Sequence, residues 1–164
     1  MLDREKTDRP KTAILGAGNI LMGDDGVGVH VVNAMKEQGG LPDGVELIDA
    51  GTATLDVLGM LEGVEHLIII DAVKSGAAPG TIYRFSPDEV SETSSRKVSL
   101  HQISLLETLN ASKMLGVNPP RVTIVGIEPK TIAVGNCLSK EVANRIPKII
   151  DTIRSLLEEP IAVG

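Results

Sequence analysis

Leu67 to Ile70 is an uninterrupted aliphatic run that ends directly in a carboxylate, Asp71. A strand without polar alternation suits a position in a sheet that is covered on both faces. Parallel sheets provide such positions, because each crossover connection places a helix against one face. The run therefore predicts a buried central strand of an α/β protein, with an acid at its carboxyl end.

Strand-like and helix-like patterns alternate along the rest of the chain. The other predicted strands are Thr12 to Leu15, Val45 to Ile48, Thr81 to Phe85 and Arg121 to Ile127. The predicted helices begin near Val27, near Leu55, after His101 and at about Lys140. Polar interruptions place Thr81 to Phe85 at a sheet edge. We therefore expect an α/β fold, a three-layer α/β/α sandwich around a mostly parallel sheet of about five strands.

Glycine and small polar residues mark the predicted helix ends. The residues expected to end or cap helices are Gly39 with Gly40, Gly116, Ser139, and Thr52 or Thr54. Glycine ends helices because it adopts the left-handed backbone conformation without strain, and hydroxyl side chains accept from the first N–H groups of a helix. Pro147 predicts a kink or a break in the last helix.

One domain is expected to cover residues 1–164, because 164 residues lie within the usual domain size and 42% of them are hydrophobic. The core must be aliphatic, since the chain has one Tyr, one Phe and no Trp. Residues 1–10 are charged rather than apolar, and we expect them to form a flexible N-terminal extension.

Composition argues against several classes of partner. A net charge of -6 offers no basic patch for nucleic acid or an anionic membrane, and no apolar run approaches the roughly 20 residues that span a bilayer. Cys137 is the only cysteine, which fits a reducing compartment, and we expect a cytoplasmic protein. A heptad repeat is missing, so a monomer is expected.

Acidic residues follow three of the predicted strands, at the ends where open α/β sheets bind ligands. Asp49 and Asp71 close two strands, and Asp24 with Asp25 lies in the loop after the first one. His101, in a loop before a helix, can add an imidazole to the same edge. Imidazole and carboxylate ligands together suit nickel, zinc or iron. The sequence thus indicates a divalent-metal site.

Each of these residues also has an ordinary structural explanation. Aspartates often cap helices or lie in solvated turns, and a single loop histidine such as His101 is more often structural than a ligand. Asp71 fits that explanation least, because a carboxylate beside a buried strand is costly without a partner or a metal.

Three other reactive side chains are assigned no catalytic role. His30 lies in the first predicted helix and His66 just before a strand, so both are interpreted as structural. Cys137 has no histidine near it in the sequence and is interpreted as a plain thiol. The HExxH motif of zinc proteases is absent from the sequence.

The glycine loop after the first strand admits a competing interpretation. Gly16-Ala17-Gly18-Asn19 resembles the start of a dinucleotide-binding fingerprint, but Leu21 occupies its third glycine position. Asp24 and Asp25 would also repel a pyrophosphate, so a nucleotide-binding enzyme that uses this loop ranks below metal recognition. We interpret the glycines as close-approach positions that leave room for another backbone, such as a substrate peptide.

Several motifs together resemble one protein family. GAGNILMGDDGVG, from Gly16 to Gly28, is similar to the signature loop of the [NiFe]-hydrogenase maturation endopeptidases. The further matching motifs are Asp49-Ala50-Gly51-Thr52, Ile70-Asp71-Ala72, Pro79-Gly80-Thr81, Ser99-Leu100-His101 and Val125-Gly126-Ile127-Glu128-Pro129. In this order they cover nearly the whole chain.

The resemblance implies a hydrolase, an aspartic-type endopeptidase that removes the C-terminal extension of a hydrogenase large-subunit precursor after nickel insertion. It places metal contact and catalysis on Asp25, Asp71 and His101. The supporting residues are Asp49, Asp24, Gly18 and Asn19. The nickel would arrive with the precursor, so the isolated protein is expected to be metal-free.

Two questions stay open at this point. Some relatives carry Glu in place of Asp25, whose side chain is one methylene shorter, so either Asp24 or Asp25 could face the metal. The same residues would also serve a non-catalytic nickel-binding protein or a maturation chaperone, which would bind the precursor without shortening it.

Overall fold

The structure, a computed structural model, describes residues 11–52, 55–92 and 109–160. Its sheet consists of β1 (Thr12–Ala17), β2 (Val45–Gly51), β3 (His66–Ala72), β4 (Ile82–Phe85) and β5 (Arg121–Ile127), in the spatial order β2-β1-β3-β5-β4. The pairs β1–β2, β1–β3 and β3–β5 are parallel, and β4 runs antiparallel at the edge beside β5. The predictions of a mostly parallel α/β fold and of an edge position for Thr81 to Phe85 are confirmed.

Helices lie between most of these strands and after β5. They are a 3-10 helix (Gly23–Gly26), α1 (Val27–Gln38), a second 3-10 helix (Leu55–Leu61), α2 (Pro87–Glu92), α3 (which includes residues 109–114), α4 (Lys140–Ala143) and α5 (Ile146–Glu158). The short helix predicted from Leu55 is thus a 3-10 helix. Within the three described ranges, no helix has the length and apolar character needed to cross a membrane.

The central strand β3 is buried along its whole length, as the aliphatic run predicts. Ile68 and Ile70 face a cluster that contains α1 and α5 side chains, whereas Leu67 and Ile69 face a second cluster with the second 3-10 helix and Leu109 of α3. Successive side chains of a strand point to opposite faces, so an unbroken apolar run supplies both clusters. The two clusters show that helices cover both faces of the sheet.

Two of the glycines predicted to end helices, Gly39 and Gly116, do so in the structure. Gly39 ends α1 with a φ of 64°, and its N–H donates to the Met35 carbonyl at 3.0 Å. Gly116, with a φ of 81°, ends α3, where Val117 N–H donates to the Ser112 carbonyl at 2.9 Å. This pairing is the one expected when a left-handed glycine terminates a helix.

The last predicted helix is two helices. Ser139 caps α4 by accepting a hydrogen bond from Val142 N–H at 3.4 Å, as expected, and α4 ends at Ala143. Pro147 lies in the first turn of α5, where its missing N–H would have no intrahelical partner anyway. The predicted break at Pro147 is confirmed.

Three predicted strands are longer than expected, and the first of them, β1, continues past Leu15 to Ala17. β2 continues past Asp49 to Gly51, and β3 continues past Asp71 to Ala72. Asp49 and Asp71 therefore lie inside the last residues of their strands, because the parallel ladder with β1 extends β2 and the parallel ladder with β5 extends β3. For example, Asp71 is still in register with Gly126 of β5. Thr54, a predicted helix cap, and Leu105 and Leu106, in the helix predicted after His101, lie outside the described residues.

Candidate active site

Two buried acids, Asp25 and Asp71, lie close to the same glycine at the carboxyl edge of the sheet, Asp25 through its backbone carbonyl and Asp71 through its carboxylate. A Cβ atom added to Gly18 would overlap the carbonyl oxygen of Asp25 and would lie 3.6 Å from Oδ1 of Asp71. Gly18 directly follows β1, Asp71 belongs to β3, and Asp25 precedes α1. The structure therefore brings together two of the three residues that were predicted to contact a metal.

Backbone N–H groups hold both carboxylates. Asn19 N–H donates to Oδ2 of Asp25 at 2.9 Å, and Ala72 N–H donates to Oδ1 of Asp71 at 2.8 Å. Asp25 also lies two residues before α1, where the positive end of the helix dipole favours a negative charge. These hydrogen bonds fix the position of each carboxylate at the carboxyl edge of the sheet.

Asp24 has a different environment from its neighbour Asp25. Its Oδ2 accepts from Lys130 N–H at 2.8 Å, from Thr131 N–H at 3.1 Å and from Ser139 Oγ at 2.8 Å, and its Oδ1 accepts from Ser139 N–H at 2.7 Å. Burial alone would raise the pKa of Asp24, but these hydrogen bonds outweigh it and lower the pKa. Asp24 thus fastens the segment after β5 to the glycine loop, while the Asp25 carboxylate accepts from Asn19.

The close approaches predicted for the glycines involve the protein's own backbone. A Cβ on Gly16 would overlap the carbonyl oxygen of Gly28, and one on Gly28 would overlap the carbonyl oxygen of Ile70. At Gly18 the occupying backbone is that of Asp25. The interpretation that these glycines leave room for a substrate peptide is therefore wrong, because α1 and the segment before it fill the space.

The remaining predicted site residues lie in different places. Asn19 joins the site through its bond to Asp25. Asp49 is exposed on β2, the outer strand beyond β1. His101, the third predicted metal contact, lies outside the described residues. Within the part of the chain that the structure does describe, no group of three His, Cys, Asp or Glu side chains is arranged to hold a metal ion.

The other histidines and the cysteine stand apart from this pair of acids. His66 is buried at the start of β3, and its Nε2 lies 2.9 Å from Thr123 Oγ1 of β5. Burial, with a smaller contribution from the Arg121 charge, lowers the pKa of His66 to about 4. His30 lies within α1, as predicted, and Cys137 is exposed.

Glu128 is a buried acid for which the sequence predicts no role beyond its place in a motif. It follows β5 and accepts hydrogen bonds from Ser75 N–H at 2.8 Å, Gly76 N–H at 3.1 Å and Tyr83 Oη at 2.8 Å. Burial and the bond to Glu128 raise the pKa of the Tyr83 hydroxyl. Glu128 thus anchors the segment that follows Asp71, and its position after a buried strand was the available signal.

Comparisons with known proteins agree with this architecture. A family model described as "Hydrogenase maturation protease" matches residues 29–156. The chain is 36% identical over 147 residues to the hydrogenase 2 maturation protease of Escherichia coli K12, covering 89% of this chain and 90% of that protein. It is also 36% identical over 157 residues to the hydrogenase expression/formation protein HupD of Rhizobium leguminosarum, covering 94% and 78%.

Solved structures show the same relationship. The E. coli hydrogenase maturating endopeptidase HybD superimposes with a TM-score of 0.80 at 35% identity, covering 90% of this chain and 91% of that one. The [NiFe] hydrogenase maturation protease HybD of Thermococcus kodakarensis superimposes with a TM-score of 0.77 at 29% identity, covering 89% and 98%.

Proposed function

This chain belongs to the hydrogenase maturation protease family, and we propose that it removes the C-terminal extension of a [NiFe]-hydrogenase large-subunit precursor after nickel insertion. Endopeptidase activity in hydrogenase maturation follows from the family. The specific substrate and the nickel requirement are the proposal. The observation that carries it is that two buried acids lie beside one loop: Oδ1 of Asp71 lies near Gly18, and the Asp25 carboxylate accepts from the N–H of the next residue, Asn19.

Nickel enters this reaction as part of the substrate. Asp25 and Asp71 supply carboxylate oxygens at one edge of the sheet, and His101 would complete the set with an imidazole nitrogen. Carboxylate together with imidazole matches the ligand preference of a first-row divalent ion. A precursor without nickel would lack the group that these side chains recognise, so cleavage would wait for metal loading.

The chemical step is the hydrolysis of one peptide bond. Water adds its oxygen to the carbonyl carbon, the C–N bond breaks, and one proton passes to the leaving amine. Asp25 or Asp71 would take the first proton from the water as general base, because a backbone N–H holds each carboxylate in place. We place this reaction in the cytoplasm and assign it to a monomer that meets its precursor transiently.

The structure favours this proposal over nucleotide binding. The space beside Gly18, where a phosphate would have to approach, contains the backbone of Asp25. Two buried carboxylates, Asp24 and Asp25, also precede α1, and both would repel a phosphate at the helix N-terminus. A chaperone that binds the precursor without cutting it would use the same side chains. An experiment therefore has to distinguish a chaperone from a peptidase.

The test compares three forms of one precursor: nickel-loaded, zinc-loaded and metal-free. Each is mixed with the purified protein, and the mass of the large subunit is followed over time. We expect a C-terminal peptide to be lost from the nickel-loaded form alone. Cleavage of all three forms would contradict the nickel requirement and leave the peptidase activity intact. Binding of the loaded form without any change in mass would instead establish the chaperone.

A further inference from the structure

Glu128 is a buried acid that takes no part in the reaction proposed above. It directly follows β5, and its carboxylate accepts from the N–H groups of Ser75 and Gly76 and from the hydroxyl of Tyr83. All three of these partners are donors, and a carboxylate has only acceptors to offer them. Burying an acid is costly unless such bonds compensate it, so the position of Glu128 depends on the segment that supplies the donors.

That segment joins β3 to β4, and we call residues 73–81 the β3–β4 segment. Its two ends are also bound to the last part of β5 and the residue after it. Val73 N–H donates to the Ile127 carbonyl at 2.9 Å, and Gly80 N–H donates to the Glu128 carbonyl at 2.8 Å. The backbone thus holds the segment at its start and near its end, and the Glu128 side chain holds its middle.

Asp71 lies immediately before this segment. Its Oδ1 accepts from Ala72 N–H at 2.8 Å, and Ala72 is the last residue of β3, in register with Ile127. Gly126 is in register with Asp71, and a Cβ there would overlap the side chain of Val73. The β3–β4 segment is therefore packed closely against the end of β5. A shift of Val73 would move the neighbouring N–H that orients the Asp71 carboxylate.

We propose that Glu128 is a positioning residue for Asp71. By fixing the β3–β4 segment it holds Ala72 N–H, and through that group the Asp71 carboxylate, in the orientation that hydrolysis requires. The inference rests on the proposed function, because it assumes that Asp71 acts in peptide-bond hydrolysis. A misplacement of about 1 Å in a catalytic site can lower the rate about 10²-fold. A loosened segment would therefore slow the reaction even in a protein that stays folded.

The test uses Glu128→Gln, which keeps the size of the side chain but turns one acceptor oxygen into an NH₂ group that faces donors. The matched control is Thr123→Val on the same strand, which removes the buried hydroxyl beside His66 at the amino end of the sheet. Each variant loses a buried hydrogen bond, so both should lower Tm.

Rates on nickel-loaded precursor are measured well below the Tm of either variant. We expect Glu128→Gln to lower kcat about 10- to 100-fold and to leave KM within about twofold, because the precursor still binds but the base is displaced. Thr123→Val should keep the wild-type kcat. Amide hydrogen exchange at Ala72, followed by NMR, should be faster in Glu128→Gln than in the wild type and unchanged in Thr123→Val.

Tyr83→Phe is a second and milder variant. It removes one of the three donors to Glu128 and leaves both backbone bonds in place. We expect its kcat to fall about 2- to 5-fold, between the wild type and Glu128→Gln. If Glu128→Gln does not fold, this variant decides the question, and a wild-type kcat for Tyr83→Phe would overturn the inference.

The outcomes separate this inference from the proposed function. If the wild type does not process the precursor, the proposed function fails and the inference fails with it. If the wild type processes it and Glu128→Gln has the same kcat as Thr123→Val, the positioning role alone is overturned. A loss confined to KM would mean that the β3–β4 segment contacts the precursor, which also overturns it. A lower kcat with unchanged exchange at Ala72 would contradict the route through the segment.

Discussion

The two ends of the parallel sheet both bury polar side chains, but they differ in what those side chains contact. At the amino end, His66 of β3 is paired with the Thr123 hydroxyl of β5. At the carboxyl end, the Asp25 and Asp71 carboxylates accept from backbone N–H groups, and both residues lie close to Gly18. In the first arrangement, a hydroxyl provides the hydrogen-bond partner of a buried, neutral histidine. The second places two acids at the edge where open α/β sheets bind ligands.

The difference separates residues that stabilise the fold from residues that act on a substrate. Asp24 shows that the carboxyl end also contains a structural acid, since Ser139 and the backbone of the same segment surround its carboxylate. Asp25, its neighbour in sequence, instead accepts a hydrogen bond from Asn19 in the loop after β1. Substitutions at the two ends should therefore divide into those that change catalysis and those that change stability.

The largest effect is expected at the carboxyl end. Asp71→Asn and Asp25→Asn should each lower the processing rate of nickel-loaded precursor about 10²- to 10⁴-fold, because a neutral amide can neither take a proton nor attract a cation. Thermal unfolding should show a Tm close to that of the wild type, since Oδ1 of Asn can still accept the bond from Ala72 or Asn19.

Two further variants make this test specific. Asp151→Asn changes an exposed acid on α5 and should leave both rate and Tm unchanged. Asp24→Asn should lower Tm, because one of its carboxylate oxygens becomes an NH₂ group that faces N–H donors. If Asp24→Asn abolished processing at full stability while Asp25→Asn did not, the roles assigned to these two acids would be reversed.

Local patterns were enough to predict most of the fold. The aliphatic run before Asp71 predicted β3, and Gly39, Ser139 and Pro147 predicted helix boundaries correctly, because backbone conformation at those positions depends on neighbouring residues. Strand ends were less accurate. The parallel partners that prolong β2 and β3 belong to distant parts of the sequence.

The sequence could not reveal the roles of some acids, because these roles depend on contacts between residues that are far apart in the sequence. Asp24 and Asp25 are neighbours of the same residue type, and the choice between them is made by Lys130, Thr131 and Ser139, more than a hundred residues away. Glu128 was missed for the same reason, since its donors come from the segment after β3 and from β4. No local pattern records which segments will be neighbours in space.

The second prediction concerns the pH dependence of stability at the amino end. The pKa of His66 is about 4 in the folded protein, below its ordinary value of about 6.5. The folded state therefore binds the proton less readily than the unfolded chain does. The contribution of neutral His66 to the free energy of unfolding is fully present above pH 6.5. It falls as the pH drops toward 4, and roughly 2–3 kcal/mol is lost at pH 4.5. Urea unfolding between pH 7.5 and pH 4.5 measures this loss.

His66→Gln isolates the histidine from the carboxylates that also titrate at low pH. A glutamine amide can still bond to the Thr123 hydroxyl but does not titrate in this range. We expect the variant to lose less stability than the wild type between pH 7.5 and pH 4.5, with the same processing rate at pH 7.5. Equal losses in the two proteins would show that His66 does not carry the pH dependence.

The smallest effect is expected for an ion pair on the surface near the amino end. Glu159 accepts from Nη2 of Arg84 and of Arg121, at 2.6 Å in each case, and these bonds lower its pKa to about 2. The contribution of Glu159 is present above its ordinary pKa near 4.5 and is lost as the pH falls toward 2. Water screens the pair, so Glu159→Gln should lower Tm at pH 7 by less than protonation of His66 does at pH 4.5.

A neighbouring acid provides the control for this last prediction. Glu158→Gln removes an exposed carboxylate from the same turn, so a difference in Tm between the two variants reports the bonds to the arginines. High salt should abolish that difference, because it screens exposed charges. Processing of nickel-loaded precursor should be unchanged in both variants. A slower rate for Glu159→Gln at unchanged Tm would mean that the amino end of the sheet affects catalysis, and the division of roles between the two ends would then fail.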